Sequence, residues 1–583
     1  MRGILALVLL LGSAAIARAA SPAPVEGAAG MVVSSQRLAS EAGAAILRAG
    51  GNAVDAAVAT AYAEAVVNPC CGNLGGGGFL VARLADGHAV FLDFRETAPV
   101  RATRDMYLDA AGKPVPGASL VGWKAVGVPG SALGLDAARE RWGRLSRAQV
   151  MAPAIALARD GFVLTRGDTD ILHAETRLLR RDPEVARVFL RPDGAPFQPG
   201  DRLVQTDLAR TLEALAQQGP AAFYEGRVAE AIGAASEAGG GVLAAADLGK
   251  YQVAEDAPVQ CAYRGLAILS APPPSSGGLT LCETLGILQG YDLKGMGWHS
   301  AAEIHVVVEA LRHAYLDRNT QLGDPAFVQN PVARLLDPEY AAAIRATIPA
   351  DRATPSAELL PGTPPHEAPQ TTHISAVDRD GGTAAITYTL NGLFGAGVIA
   401  PGTGVLLNDE MDDFTTKPGT PNMFGLVQGE KNAVEPGKRP LSSMAPTVVL
   451  RDGKPYLVLG SPGGSRIITI VLEVLLDVAD YGMNIEDAVD APRIHHQWLP
   501  DTVYEEPRAL SPDTARLLEG MGYKLVEQKP WGAAECIEVA PSAASGAGLA
   551  SSGGDSEQGG ALVPGLRYGG HDSRRPAGAA VAE

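Results

Sequence analysis

Far from either end of a 583-residue chain, Gln370-Thr371-Thr372-His373-Ile374-Ser375 places a threonine pair at an abrupt change of composition. A threonine hydroxyl is a weak nucleophile unless a base stands beside it. One way to supply the base is to cut the chain before the threonine, so that its freed α-amine takes that role. Downstream come TYTLN, NDEMDDF, KRPLSSMAP and GSPGGSR, each dense in groups that bind or react with an amino acid. Thr371 reads as a nucleophile that is internal in a precursor and N-terminal after cleavage.

The segment before it supports a cut there. Residues 351–370 (DRATPSAELLPGTPPHEAPQ) are rich in Pro, Ala and Glu and read as an exposed linker, where a break in the chain is tolerated. After it the pattern turns to strands: HISAVD, a DRDGG turn, then TAAITYTL.

Other stretches position or frame these residues. Residues 36–67 predict two helices, the first capped near Ser40 and closed by Gly50-Gly51, the second capped by Asn52. FLVARL and AVFLDFR predict a strand pair with Asp86-Gly87 as its turn. Residues 124–350 read as mainly helical, with a loop at Pro272–Pro274. Residues 541–564 are low in complexity and read as a disordered insertion, after which GLRYGGHDSRRPAGAAVAE can return a final strand to the core. The glycine run Gly75–Gly78 lacks both the Lys-Ser/Thr of a phosphate loop and the G-x-G-x-x-G spacing, so it reads as a tight strand entry.

With 46% hydrophobic and 19% charged residues the chain is globular, and its length suggests two or more domains. The net charge of −17, with no long basic run, argues against a nucleic-acid partner. Arg2, the apolar run Gly3 to Gly12 and Ala17-Arg18-Ala19 predict a signal peptide over residues 1–19. That run is too short to span a membrane and none like it recurs, so the expectation is export to a bacterial periplasm or beyond. The five cysteines form no disulfide framework or zinc spacing. Cys70 and Cys71 are adjacent, which strains a mutual bridge; Cys261–Cys282 is a possible pair; mostly buried free thiols are expected. Neither a metal nor another cofactor is expected. His495-His496 read as structural, because adjacent side chains on an extended segment point apart.

The order TTHISAVD, TYTLN, LLNDEMDDF, KRPLSSMAPT, GSPGGSRIIT, APRIHHQWLPD resembles the small subunit of the gamma-glutamyltransferases, also called glutathione hydrolases, within the N-terminal-nucleophile hydrolases. Upstream, GNLGGGGF, LDFRETAP and LDRNTQLGDP extend the resemblance over nearly the whole mature chain. It implies an α+β fold, an αββα sandwich of two stacked sheets between helical layers. It also implies autocatalytic cleavage of Gln370–Thr371 into a large subunit, 20–370, and a small one, 371–583, that stay together as a heterodimer.

The implied reaction is γ-glutamyl transfer from glutathione through a threonyl ester to water, or to an amino acid or peptide. Thr371 would be the nucleophile and Thr389 its support. Gly463 and Gly464 would form the oxyanion hole, typically worth roughly 3–4 kcal/mol per donor. Arg95 would grip the α-carboxylate in a bidentate fork, with Ser442 and Ser443 adding hydroxyl donors. Asp413, Glu410 and Asn391 would hold the α-ammonium. Phe424, where some members carry Tyr, would lie in a lid over the pocket. With the amine as base no histidine is needed, so His373 is expected to be structural. G-x-S-x-G is absent, since position 459 is Leu459, which leaves a serine-hydrolase elbow unsupported. Two rival readings are a glutaryl-type β-lactam acylase on the same scaffold and an uncut, inactive exported binding protein.

Overall fold

The computed structural model describes residues 22–359, 371–541 and 562–583. The predicted signal peptide, Gln370 and most of the predicted 541–564 insertion lie outside them.

Two seven-stranded sheets dominate. In order across the first lie Val25–Gly27, Arg567–His571, Glu535–Val539, Lys454–Leu459, Thr447–Arg451, Leu266–Ser270 and Val259–Tyr263. In order across the second lie Ala579–Ala582, Met31–Ser34, Thr372–Val377, Thr383–Thr389, Gly77–Arg83, Ala89–Asp93 and Ala254–Asp256. Each sheet mixes strands from before and after residue 371. The pairing Thr372↔Tyr388 through Val377↔Thr383 forms the predicted hairpin.

Side chains alternate between the faces of a strand, and the sequence fills both faces of the second sheet with apolar residues. Val32, Leu80, Ile374, Ala376 and Ile386 pack outward against the helices Arg37–Arg48 and Ala53–Val67. Met31, Val33, Phe79, Val81 and Val377 pack inward against Leu269, Val448, Val458 and Ile537 of the first sheet. Helices Gly277–Leu288 and Ile467–Ala479 cover the outer face of the first sheet, and Ala301–Gln321 packs on Gly277–Leu288. The layers are therefore helix, sheet, sheet, helix, the αββα arrangement.

Several expectations need correction. The first helix starts at Arg37 rather than near Ser40; Ser40 lies inside it, and its hydroxyl donates to Ala579 O (2.8 Å), tying the helix to the last strand. The predicted linker is anchored where it starts: Ser356 is fully buried, its Oγ donating to Trp498 O (2.6 Å) and its N–H to Asp501 (2.7 Å). The C-terminal segment returns two strands, Arg567–His571 to the first sheet and Ala579–Ala582 to the second. The cysteines are not mostly free thiols. Cys261–Cys282 joins a strand to the helix packed on it, Cys70 and Cys71 bridge each other, and Cys536 alone is free, in the core. The Cys261–Cys282 contact follows from the packing of Val259–Tyr263 against Gly277–Leu288, which cysteine spacing does not show.

Candidate active site

Thr371 immediately precedes the strand Thr372–Val377, and the register sets it opposite Thr389, the last residue of the partner strand. The alternation turns both inward, to the mouth of the gap between the sheets. Thr371 Oγ1 donates to Thr389 Oγ1 (3.2 Å), and the same Thr389 oxygen accepts the Asn391 N–H (2.9 Å). Thr371 has a φ of +147°, a region that a β-branched residue rarely adopts. The glycine run lies directly beneath: a Cβ on Gly76 would sit 1.9 Å from Thr389 O.

Two residues on, the alternation buries His373 between the sheets. Its Nδ1 meets Thr387 Oγ1 (2.8 Å) and its Nε2 Ser375 Oγ (3.1 Å), and burial pushes its pKa down to about 3. It is a neutral packing residue. His495 and His496 are likewise buried, held by Thr469 and Gln497 and by Trp498 N–H and Asp501 respectively.

Thr371, Thr389, Asn391, Arg95, Glu410, Asp413, Ser442, Ser443, Phe424 and Gly464 line one narrow cleft, so a single space gathers residues spread over 370 positions of sequence. Arg95 follows the strand Ala89–Asp93 and is fully buried. Its Nε donates to Pro440 O (3.2 Å), Nη1 pairs with Glu410 and Nη2 with Asp413, while Glu96 stands 3.5 Å away. Burial works to lower the Arg95 pKa, but the three acids together hold it above its ordinary value. Burial pushes Glu410 well up and Glu96 to about 8, against the pull of Arg95. The predicted carboxylate-binding and ammonium-binding groups therefore meet, and they pair with one another.

The acidic side is built by a short 3-10 helix, Glu410–Asp413. Asn408 Oδ1 accepts the Glu410 N–H (3.0 Å), and Asn422 Nδ2 donates to Asp413 Oδ1 (3.2 Å). Asn391, with a φ of +74°, donates through Nδ2 to Asp409 O (3.1 Å).

The serines are held by backbone. Ser442 N–H donates to Pro274 O (2.9 Å), and Ser442 O accepts from the N–H (2.8 Å) and hydroxyl (2.5 Å) of Ser276. The proline loop seen in the sequence is thus the strap beneath the serine pair, a role its sequence position gave no sign of. Ser442 Oγ accepts from Met444 N–H (3.1 Å) and Ser443 Oγ from Arg318 Nη2 (2.8 Å).

Opposite them, Gly463 and Gly464 open the turn into Gly464–Arg466 and then the helix Ile467–Ala479. Gly464 lines the cleft, whereas Gly463 is not among its lining residues. A Cβ on Gly464 would meet the Phe424 ring at 2.4 Å, so the ring packs directly against the glycine. Phe424 is 5% exposed and its carbonyl accepts from Gln497 Nε2 (3.1 Å).

The cleft gathers a threonine hydroxyl, polar donors, and a cation in contact with a cluster of acids. Sequence reasoning missed Arg318, Glu96 and the Ser276 strap. Arg318 lies within LDRNTQLGDP, where a lone arginine on an otherwise buried helix face was the available signal. Among the described residues, no group of three His, Cys, Asp or Glu side chains is arranged to hold a metal ion. Nor is any helix there long and apolar enough to cross a membrane.

The profile of the family described as Gamma-glutamyltranspeptidase matches residues 39–562. A glutathione hydrolase proenzyme of Pseudomonas sp. (strain A14) is 55% identical over 512 residues, covering 88% of this chain and 89% of its own. One from Escherichia coli (strain K12) is 45% identical, covering 93% and 96%. The crystal structure of a cephalosporin acylase from Bacillus halodurans superposes with a TM-score of 0.82 at 26% identity, over 99% of each chain. A profile match across most of the sequence, relatives at these identities along nearly their full length, and a shared αββα core lead to one conclusion: the chain belongs to the gamma-glutamyltranspeptidase family.

Proposed function

We propose that this chain is an exported γ-glutamyltransferase and glutathione hydrolase, activated by its own cleavage before Thr371. The observation that carries the reading is that Thr371 shares one cleft with the cation and hydroxyls of Arg95 and Ser442–Ser443 and with the carboxylates of Glu410 and Asp413. These are complementary poles for the zwitterionic head of a γ-glutamyl group.

Thr371 Oγ1 first attacks the carbonyl carbon of residue 370. The acyl group moves from nitrogen to oxygen, which breaks the C–N bond and frees the α-amine, and water then hydrolyses the ester, releasing the carboxylate of residue 370 and restoring the Thr371 hydroxyl. In turnover the amine accepts the Oγ1 proton as the oxygen attacks the γ-carbonyl. The hydroxyl of Thr389, 3.2 Å away, helps hold Oγ1 in line. The oxyanion of the tetrahedral intermediate is received by the N–H groups of Gly463 and Gly464. Collapse expels the amine of Cys-Gly, which takes the proton from the α-ammonium. Water then releases glutamate from the ester, or the amine of an amino acid or dipeptide takes the γ-glutamyl group.

At the binding poles the substrate exchanges partners with the protein. Its α-carboxylate takes over the Arg95 fork and the serine hydroxyls, and its α-ammonium takes over Asp413 and Glu410 with Asn391. Charge is conserved in the exchange, which limits the desolvation cost of burying both ends.

Denaturing gel electrophoresis of the purified protein should show two fragments, the smaller beginning Thr-Thr-His-Ile-Ser, and Thr371→Ala should remain one inactive chain. A Thr371→Ala protein that still splits would refute self-cleavage at this bond. The wild type should turn over a γ-glutamyl anilide in preference to a glutaryl anilide; the reverse preference would favour an acylase.

A further inference from the structure

Four arginines are among the largest fully buried side chains: Arg95, Arg312, Arg318 and Arg493. Arg95 pairs with Glu410 and Asp413, Arg312 with Glu309 and Asp501, and Arg493 with Asp572. Arg318 differs. Among the described residues no carboxylate lies within ion-pair distance of it; its Nη1 donates to Asn319 Oδ1 (2.7 Å), its Nη2 to Ser443 Oγ (2.8 Å), and its Nε finds no acceptor. A buried cation without a direct ion-pair partner is costly, and burial lowers the Arg318 pKa to about 10 against the longer-range pull of Tyr315 and Asp413. The guanidinium stands directly behind a serine that faces the cleft.

The contact also fixes a proton. A hydroxyl offers one hydrogen and two lone pairs, while a guanidinium can only donate. With Arg318 donating to Ser443 Oγ, the serine hydrogen must point elsewhere, and Ser443 opens on the cleft. Ser442 is set the same way by the Met444 N–H. Both serines are left with a hydrogen to give.

We propose that Arg318 is a positioning residue for the α-carboxylate of the donor. It turns the Ser443 hydroxyl into a dedicated donor and adds a second positive charge at that pole, the carboxylate serving as its missing counter-ion. This deepens the reading of the site as a γ-glutamyl pocket and depends on it.

The test uses the cleaved enzyme with two donors, a γ-glutamyl anilide and the same compound with its α-carboxylate amidated. The wild type should favour the carboxylate. Arg318→Met should raise KM for the carboxylate donor about 10- to 100-fold, the scale of a hydrogen bond to a charged group. It should leave kcat, and KM for the amidated donor, within about twofold, as expected when only binding is lost. Arg318→Lys, which keeps the charge without the fork, should fall between the two and stands in if Arg318→Met is not cut. Combined with Ser443→Ala the losses should be non-additive. Equal damage to both donors, or simple additivity, would reduce Arg318 to a packing residue and overturn the proposal. A wild type that does not distinguish the donors would overturn the carboxylate pole itself, and Arg318's role with it. A wild type that discriminates alongside an Arg318 variant that discriminates equally well sinks only the role of Arg318.

Discussion

Arg95 touches both kinds of pole at once, because Glu410 and Asp413 are its partners in the structure and the proposed holders of the ammonium. Removing one acid should therefore harm ammonium-bearing donors selectively. Asp413→Ala is expected to lower kcat/KM for a γ-glutamyl anilide by about 100-fold, the scale of a broken buried charge contact, and to spare a glutaryl anilide. Comparing the two donors on one protein checks it. The proposed base predicts a pH profile as well. A free α-amine with an ordinary pKa of roughly 7.7–8.0 is protonated below that range and cannot accept the Oγ1 proton. The rate of ester formation should fall about tenfold per pH unit on the acid side in pre-steady-state measurements. At this scale the sequence was highly legible, since Thr371, Arg95, Asp413 and the serines sit in long ordered motifs. Arg318 and Glu96 were not, because only the folded chain shows which side chain stands behind Ser443 or beside Arg95.

Elements decide how tightly these residues are held. The hairpin from Thr372 to Thr389 was plain in its alternation and its DRDGG turn, and it alone sets Thr371 opposite Thr389. The strap at Ser275–Ser276 could not be read, because a proline cluster announces a loop without saying what the loop touches. The turn at Gly464 combines a φ of +58° with an aromatic ring on the missing side chain. Gly464→Ala should displace the Phe424 ring and disturb the N–H groups proposed to receive the oxyanion. A fall in kcat of about 10²- to 10³-fold, with KM changed far less, is the expected outcome in steady-state kinetics. Phe424→Ala should act differently, raising KM by uncovering the pocket while the turn keeps its shape. If the two variants give the same kinetic signature, ring and turn work as one unit.

For the molecule as a whole, buried ionisable groups give a pH dependence that is separate from catalysis. Burial raises Glu64 and Glu303 to about 8, so the fold retains protons that the unfolded chain, at ordinary glutamate values, has released. Their contribution is full below the unfolded pKa and is lost as pH rises through 8. His571, raised to about 9 by Glu535 against the pull of burial, acts in the same direction. His373, His299 and His496, lowered by burial to between about 3 and about 4, act oppositely and only below their unfolded pKa near 6.5. Between pH 6.5 and 8 the raised groups act without that opposition, so the melting temperature should fall across that interval. Glu64→Gln should make the fall shallower in a fluorimetric melt. The fold class was legible through the family motifs, whereas the course of the last seventeen residues, which cross from one sheet to the other, was not.

The mixing of strands from before and after residue 371 in both sheets has a consequence for molecularity. A chain cut there keeps every sheet contact, so its halves stay associated until the core melts, and neither disulfide crosses the cut to hold them afterwards. Unfolding of the cut protein is then also dissociation. Its refolding becomes a second-order encounter that slows on dilution, while uncut Thr371→Ala should refold at a rate independent of concentration. Activation by cleavage would thus be thermodynamically quiet in the folded state and, once the protein is denatured, hard to reverse.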